Sequence, residues 1–233
     1  MYKGSLLSLL VLFCVSTFCG VDAVHGQNSE RLDKFKRLGE FEPTFYRILD
    51  ENSEEWDGEE RTEPVLTPEG EIISYVEPSF KYHLHIEGSA KLLDGRVINI
   101  RAMVNGEQRY SVVKNAPYGL GEKDRKLIPY HTIAVDPQVI PLGTIVYIPD
   151  VDGIRLPTGE VHNGYFFAHD TGSAIKGDRI DIFVGFENDV DNTLTRTSRV
   201  DSFRSVEVYQ VDDSTAREFA EQFDQNDWDQ LEK

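Results

Sequence analysis

The chain has 233 residues, enough for one domain of ordinary size with extensions at its ends. Its apolar share of 39% is low for a globular chain, so part of it is expected to stay unpacked. A net charge of −17 excludes a basic face for sequence-independent nucleic-acid binding and simple adsorption to anionic lipid.

Met1 to Ser5 is a short positive start, and Leu6 to Phe18 is an apolar run too short to span a bilayer comfortably. Small-residue cleavage sites follow at Val21-Asp22-Ala23 and Val24-His25-Gly26. Residues 1–26 therefore read as a signal peptide. That implies a secreted or periplasmic protein of the cell envelope, with no stable membrane insertion after cleavage. Both cysteines, Cys14 and Cys19, fall inside this segment, so the mature chain has neither disulfide nor thiol chemistry.

Residues 29–49 are expected to form an amphipathic helix, from Leu32, Phe35, Leu38 and Phe41 up to Pro43. Asp50, Glu51, Glu54, Glu55, Asp57, Glu59, Glu60 and Glu63 then crowd together, so residues 50–71 read as a solvated acidic linker. From residue 72 the character becomes β. Tyr82, Leu84 and Ile86 alternate with Lys81, His83 and His85, as in a half-buried strand. His83 and His85 would share one face of it, but a metal site needs more ligands than these two. Ile98, Ile100, Ala102 and Val104 form the next alternating run, and Asn105-Gly106 turns it into Tyr110 to Val113 as a hairpin. Residues 114–130, with Pro117, Gly119, Gly121 and Pro129, read as a long loop. Strands are expected at His131–Asp136, Thr144–Ile148 and Ser205–Val211, with a turn-rich insertion at 149–164. Thr215-x-x-Glu218 is a capping box that starts a short helix, followed by an acidic tail. Short strands with long irregular connections indicate an all-β fold and a small closed barrel. The domains are then a segment over 27–71, a barrel over 72–212 and a terminal helix with its tail over 213–233.

Phe166 to Phe183 organises the rest. It reads as a strand ended by Asp170, a glycine-punctuated connection, and a second strand in which Asp181 points outward between Ile180 and Ile182. Two carboxylates at strand ends, with glycines that let backbone approach closely, fit a catalytic or binding corner. They fit equally a loop whose aspartates cap turns.

Three ordered blocks carry a resemblance. Ile133-Ala134-Val135-Asp136-Pro137 leads to Ile140-Pro141-Leu142-Gly143-Thr144. Ala168-His169-Asp170-Thr171-Gly172-Ser173-Ala174-Ile175-Lys176-Gly177 follows, and then Arg179-Ile180-Asp181. Together they resemble the three-aspartate (3D) domain of the membrane-bound lytic transglycosylase A family and of the smaller Sps/YuiC-type proteins. Ser173 stands where that domain usually has a second glycine. The resemblance implies a six-stranded double-psi β-barrel. It also implies non-hydrolytic cleavage of peptidoglycan strands between N-acetylmuramic acid and N-acetylglucosamine, leaving a 1,6-anhydro end. The single essential acid falls on Asp170, with Asp136 and Asp181 as the other signature aspartates. No metal or other cofactor is implied. A monomer acting on peptidoglycan glycan strands is expected.

Beside these, Thr171 and Gly172 are placed to offer backbone donors to a sugar, Lys176 to meet a carboxylate, and Tyr118 or Tyr130 to stack on a ring; turn, solvated and core roles fit the same residues. His169 should face away from the acid. The larger transglycosylases wall their groove with a second domain, for which 72–211 leaves no room. The groove is then shallower, or completed by residues 29–49 and the 114–130 loop. Two other readings stay open: an inverting glycoside hydrolase with a separate carboxylate base, and a non-catalytic, expansin-like carbohydrate-binding module.

Overall fold

The computed structural model describes residues 31–53 and 55–223. The expected signal peptide and both cysteines lie outside the described residues, as does the acidic tail from residue 224. Twelve strands and two helices of eight or more residues organise the described chain. The strands are β1 (Lys36–Tyr46), β2 (Leu49–Asp50), β3 (Glu63–Leu66), β4 (Ile72–Val76), β5 (Ser89–Lys91), β6 (Val97–Val104) and β7 (Glu107–Val113). β8 (Thr132–Ala134), β9 (Ile145–Tyr147), β10 (Tyr165–Asp170), β11 (Arg179–Phe183) and β12 (Val206–Gln210) complete the set. The helices are α1 (Pro78–Glu87) and α2 (Asp213–Ala220).

Six strands close a barrel in the order β1-β11-β8-β10-β9-β12, so the expected six-stranded all-β barrel is present. β1 runs parallel to β11, β8 parallel to β10, and the other pairs are antiparallel. The interior is filled by alternate residues such as Phe41, Phe45, Ile133, Phe166, Ala168, Ile180 and Ile182. A second apolar cluster outside it seats α2, through Phe219 and Ala220 on Tyr147 and Phe167. α2 forms where expected, but Asp212 caps it instead of Thr215. Its carboxylate accepts the Ser214 and Thr215 backbone N–H groups at 2.9 and 3.0 Å.

Four expectations are corrected. First, the helix expected over 29–49 is largely strand β1. Phe41, Pro43 and Phe45 are buried while their neighbours are more open, which is strand alternation; the period-three pattern of Leu32 to Phe41 concealed it. Second, the acidic linker over 50–71 is folded. β3 and β4 form a hairpin that buries Val65 and Val76, and Glu51 is only 8% exposed, paired with Arg61 at 2.8 Å and accepting Leu93 N–H at 2.9 Å. Third, the strand expected at 81–86 is helix α1. Pro78 in its first turn and Gly88 in the left-handed conformation at its end bracket it. Phe80 and Leu84, one turn apart, are buried, while Tyr82 and Ile86 stay open.

Fourth, the barrel does not begin at residue 72. Residues 49–113 leave it and form a separate four-stranded sheet in the order β2-β5-β6-β7, with its own core around Phe80, Leu92, Ile98 and Tyr110. The Asn105-Gly106 hairpin is where expected, in this second sheet. There is therefore a second wall, contrary to the expectation that the chain had no room for one. It meets the barrel through Val97, Val113, Leu127, Tyr46 and Phe183.

The helical reading of residues 78–87 has a direct check. In urea unfolding, Leu84→Ala is expected to cost about 2–5 kcal/mol. Tyr82→Ser should change stability by less than about 0.5 kcal/mol, as an exposed helix position allows.

Candidate active site

The barrel strands set two acids side by side through one irregularity. Phe166 and Ala168 of β10 point into the core, so simple alternation would send Asp170 after them. The ladder slips instead: Ala168 pairs with Ile133, yet Asp170 pairs with Ala134, the very next residue of β8. This bulge at His169 turns Asp170 to the outer face of the barrel. On that face Asp181 pairs with Ala134 from the other side, and Thr44 pairs with Asp181. The row Thr44–Asp181–Ala134–Asp170 places the two carboxylates two strands apart, about 10 Å between Cα atoms. His169 itself is buried, its ring stacked on Phe167 with centroids 4.6 Å apart.

Both oxygens of Asp170 are held. Tyr46 donates its hydroxyl to Oδ2 at 2.9 Å, and the Thr171 backbone N–H donates to Oδ1 at 2.9 Å. The Thr171 hydroxyl turns away to Glu122 Oε1 at 2.6 Å. Withdrawal from water pushes the Asp170 carboxyl up to about 7, and Glu122 and Asp181 push the same way, against the two hydrogen bonds. Burial likewise raises Asp181 to about 6 and Glu87, at the end of α1, to about 7. Glu87 accepts the Arg47 backbone N–H at 3.3 Å, and Asp189 adds repulsion to both of these acids. Oδ1 of Asp181 has no hydrogen-bond partner among the described residues.

The 114–130 loop ties the second sheet to this corner. The Asn99 side chain on β6 clamps the loop from both sides of Leu120, donating to its carbonyl at 2.6 Å and accepting its N–H at 2.9 Å. At Gly121 the backbone lies so close to β10 that a Cβ would stand 2.6 Å from the His169 carbonyl and 3.2 Å from Asp170 Cβ. Between sheet, loop and barrel lies a polar cleft of about 340 Å³. Arg101, Ser111, Glu122, Lys123, Asp170 and Thr171 are among its lining.

The sequence-derived candidates separate on this geometry. Asp170 and Thr171 line the cleft, and Asp181 stands in their row. Asp136 is held elsewhere, at the turn after β8. Its carboxylate accepts Gln138 N–H at 3.0 Å and Gly177 N–H at 2.9 Å, and these bonds lower its pKa. Lys176 is exposed beside it. Gly172 makes a tight turn in which a Cβ would meet Ile175 at 2.7 Å. Tyr118 packs on Phe183 and Phe186 at the edge of a different, apolar pocket. Tyr130 is buried and donates to Glu187. Tyr46, Glu87, Asn99 and Glu122 are the site residues that sequence reasoning missed. Only Tyr46 had a local signal, the Phe41-x-Pro43-x-Phe45 alternation that places Thr44 and Tyr46 on the outer face. The described residues contain no group of three or more metal-ligating side chains.

Residues 131–203 match the family model of the 3D domain. Within the Bacillus subtilis (strain 168) proteins, the chain is 46% identical over 68 residues to "Cell wall-binding protein YocH" and 53% identical over 51 residues to "Putative cell wall shaping protein YabE". These stretches are 29% and 22% of this chain but only 20% and 10% of those relatives. Among solved structures, Escherichia coli MltA with bound chitohexaose is similar at 15% identity and TM-score 0.49, over 74% of this chain and 71% of that one. The lytic transglycosylase LtgG of Burkholderia pseudomallei is similar at 19% identity and TM-score 0.38, over 72% and 70%. Both TM-scores lie below 0.5, so the roles of residues rest on the site itself.

The raised carboxyl has a consequence for stability. An Asp that titrates near 7 when folded and near 4 when unfolded disfavours the fold increasingly as pH rises through that window. Asp170→Asn is therefore expected to melt above wild type, by a margin that grows from pH 5 to pH 8 in thermal scans. A margin independent of pH would contradict the buried-acid assignment.

Proposed function

We propose that this protein is a lytic transglycosylase of the cell envelope, acting on peptidoglycan glycan strands, with Asp170 as both acid and base. One observation carries the reading: a carboxyl that titrates at about 7 sits at the wall of a polar cleft. Near neutral pH such a group is protonated in a large fraction of molecules and is still a competent base once the proton has left. Protonated Asp170 gives its proton to the glycosidic oxygen as the C1–O bond breaks. The muramic 6-hydroxyl then attacks C1, forms the C1–O6 bond and returns its proton to Asp170. No water enters the balance, and one carboxyl serves both proton transfers.

The neighbouring groups support this reading. Asp181 on the same face offers negative charge to an oxocarbenium-like centre. Arg101 and Lys123 bring cations to the cleft wall of an acidic protein, where a muramic carboxylate would need them. Asp136 serves in this account by pinning the 170–177 connection through Gly177. The 3D-domain match and the cell-wall names of the two Bacillus relatives point to the same polymer. The signal-peptide pattern of residues 1–26 supports export. YocH is named for binding, which favours a second reading, a non-catalytic cell-wall module.

Mass spectrometry of purified sacculi incubated with the protein separates these. Anhydromuramic products from wild type, reduced by about 10³-fold or more in Asp170→Asn, are expected. Reducing-end products would mark a hydrolase that uses a second carboxylate as base. Retention on sacculi without any release would mark a binding module.

A further inference from the structure

We propose that Tyr46 is the positioning residue for Asp170, fixing Oδ2 and favouring the carboxylate over the acid. The inference rests on the reading of Asp170 as the acid. Tyr46 is the last residue of β1, at the point where the chain leaves the barrel for the second sheet. Its ring packs against Phe183, with centroids 5.0 Å apart, so the hydroxyl is presented from a fixed base. The register places it beside the acid row: Tyr46 pairs with Phe183, two residues along β11 from Asp181.

A phenol that donates to a carboxylate oxygen stabilises the charged form, because the same bond to a neutral carboxyl is weaker. The other groups around Asp170 act in known directions. Asp181 from β11 and Glu122 from the loop repel its charge, and Thr171 N–H attracts it. Burial holds the Tyr46 hydroxyl protonated, and Asp170, Asp181 and Glu87 from α1 add to it. Tyr46 therefore stays a neutral phenol with a proton to donate to Asp170. It is the one side-chain donor on Asp170 among the described residues, and it offsets part of the upward push from burial and, to a lesser degree, from Glu122 and Asp181. Through it, the return of the carboxylate after proton donation is made easier, and its second lone pair direction is left for substrate.

The test is a carbon-13 NMR titration of aspartate carboxyls in the full chain, with Asp170→Asn to assign the resonance. Tyr46→Phe keeps the ring and removes only the hydroxyl. The Asp170 midpoint is expected to rise by about one unit, the value of a lost hydrogen bond to a charged group. The alkaline limb of kcat against pH should rise with it, with kcat at its optimum down about tenfold and KM within about twofold. A midpoint that stays or falls overturns the proposal. If glycan cleavage is absent in wild type, the transglycosylase reading fails while the titration still decides the Tyr46–Asp170 coupling. If Tyr46→Phe does not fold, difluorotyrosine placed at position 46 makes a stronger donor and should move the midpoint down; no movement overturns the proposal.

Discussion

The architecture depends on the double pairing of β1. It runs parallel to β11 on one edge and antiparallel to β12 on the other, and so closes a sheet whose edges would otherwise stand open. The stretch that matches the 3D domain contains β8 to β11, four of the six barrel strands. The remaining two come from opposite ends of the described chain. Phe41 and Phe45 of β1 fill the barrel interior. The alternate residues Thr44 and Tyr46 face outward, where Thr44 lies beside Asp181 and Tyr46 reaches Asp170. The strand that closes the barrel also supplies the acid's side-chain hydrogen-bond partner, so closure and the site are one construction.

The second constraint is the cost of burying acids. Three carboxyls, on Asp170 at the cleft wall and on Asp181 and Glu87, are pushed well above their ordinary range by loss of water. A fold selected for stability alone would not collect them, since each is easier to keep ionised at the surface. Their geometry is nonetheless tightly supported. The bulge at His169 re-aims one acid, the Asn99 clamp holds the covering loop, and Gly121 allows that loop to lie against β10. Strain is also concentrated there: Lys123 and Asp124, both non-glycine, take the left-handed conformation at the cleft wall. A half-buried carboxyl with a raised pKa, held at the wall of a polar cleft, is what the proposed proton-transfer role of Asp170 requires.

Much of this was legible in the sequence, and the rest was hidden for physical reasons. Blocks with short-range signals read correctly: the Asn105-Gly106 hairpin, the Ile180–Ile182 alternation around Asp181, and the three ordered aspartate blocks. Residues 50–71 look unpacked because the run is charge-rich, yet Glu55 pairs with Arg47, and Glu51 pairs with Arg61 and accepts the N–H of Leu93, 42 residues away in sequence. α1 misled because Tyr82, Leu84 and Ile86 mimic strand alternation, although Pro78 and Gly88 marked a helix. The bulge that turns Asp170 outward leaves no trace in composition. Glu87, Glu122 and Asn99 are unremarkable surface types in the sequence; only long-range folding brings them to the acid. Tyr118 and Lys176 have chemistry that suits a sugar site, but the chain path places Tyr118 at the apolar pocket and Lys176 beside Asp136.

The account stands on the location of the reacting bond. A crystal structure of Asp170→Asn with a muramic-acid-containing glycan bound tests it most directly. The account predicts a strand lying between the second sheet and the barrel, with a glycosidic oxygen within hydrogen-bond distance of the residue 170 side chain and of no other carboxyl. A glycan bound instead at the apolar pocket beside Tyr118 and Phe186, with the Asp170 cleft empty, would contradict it.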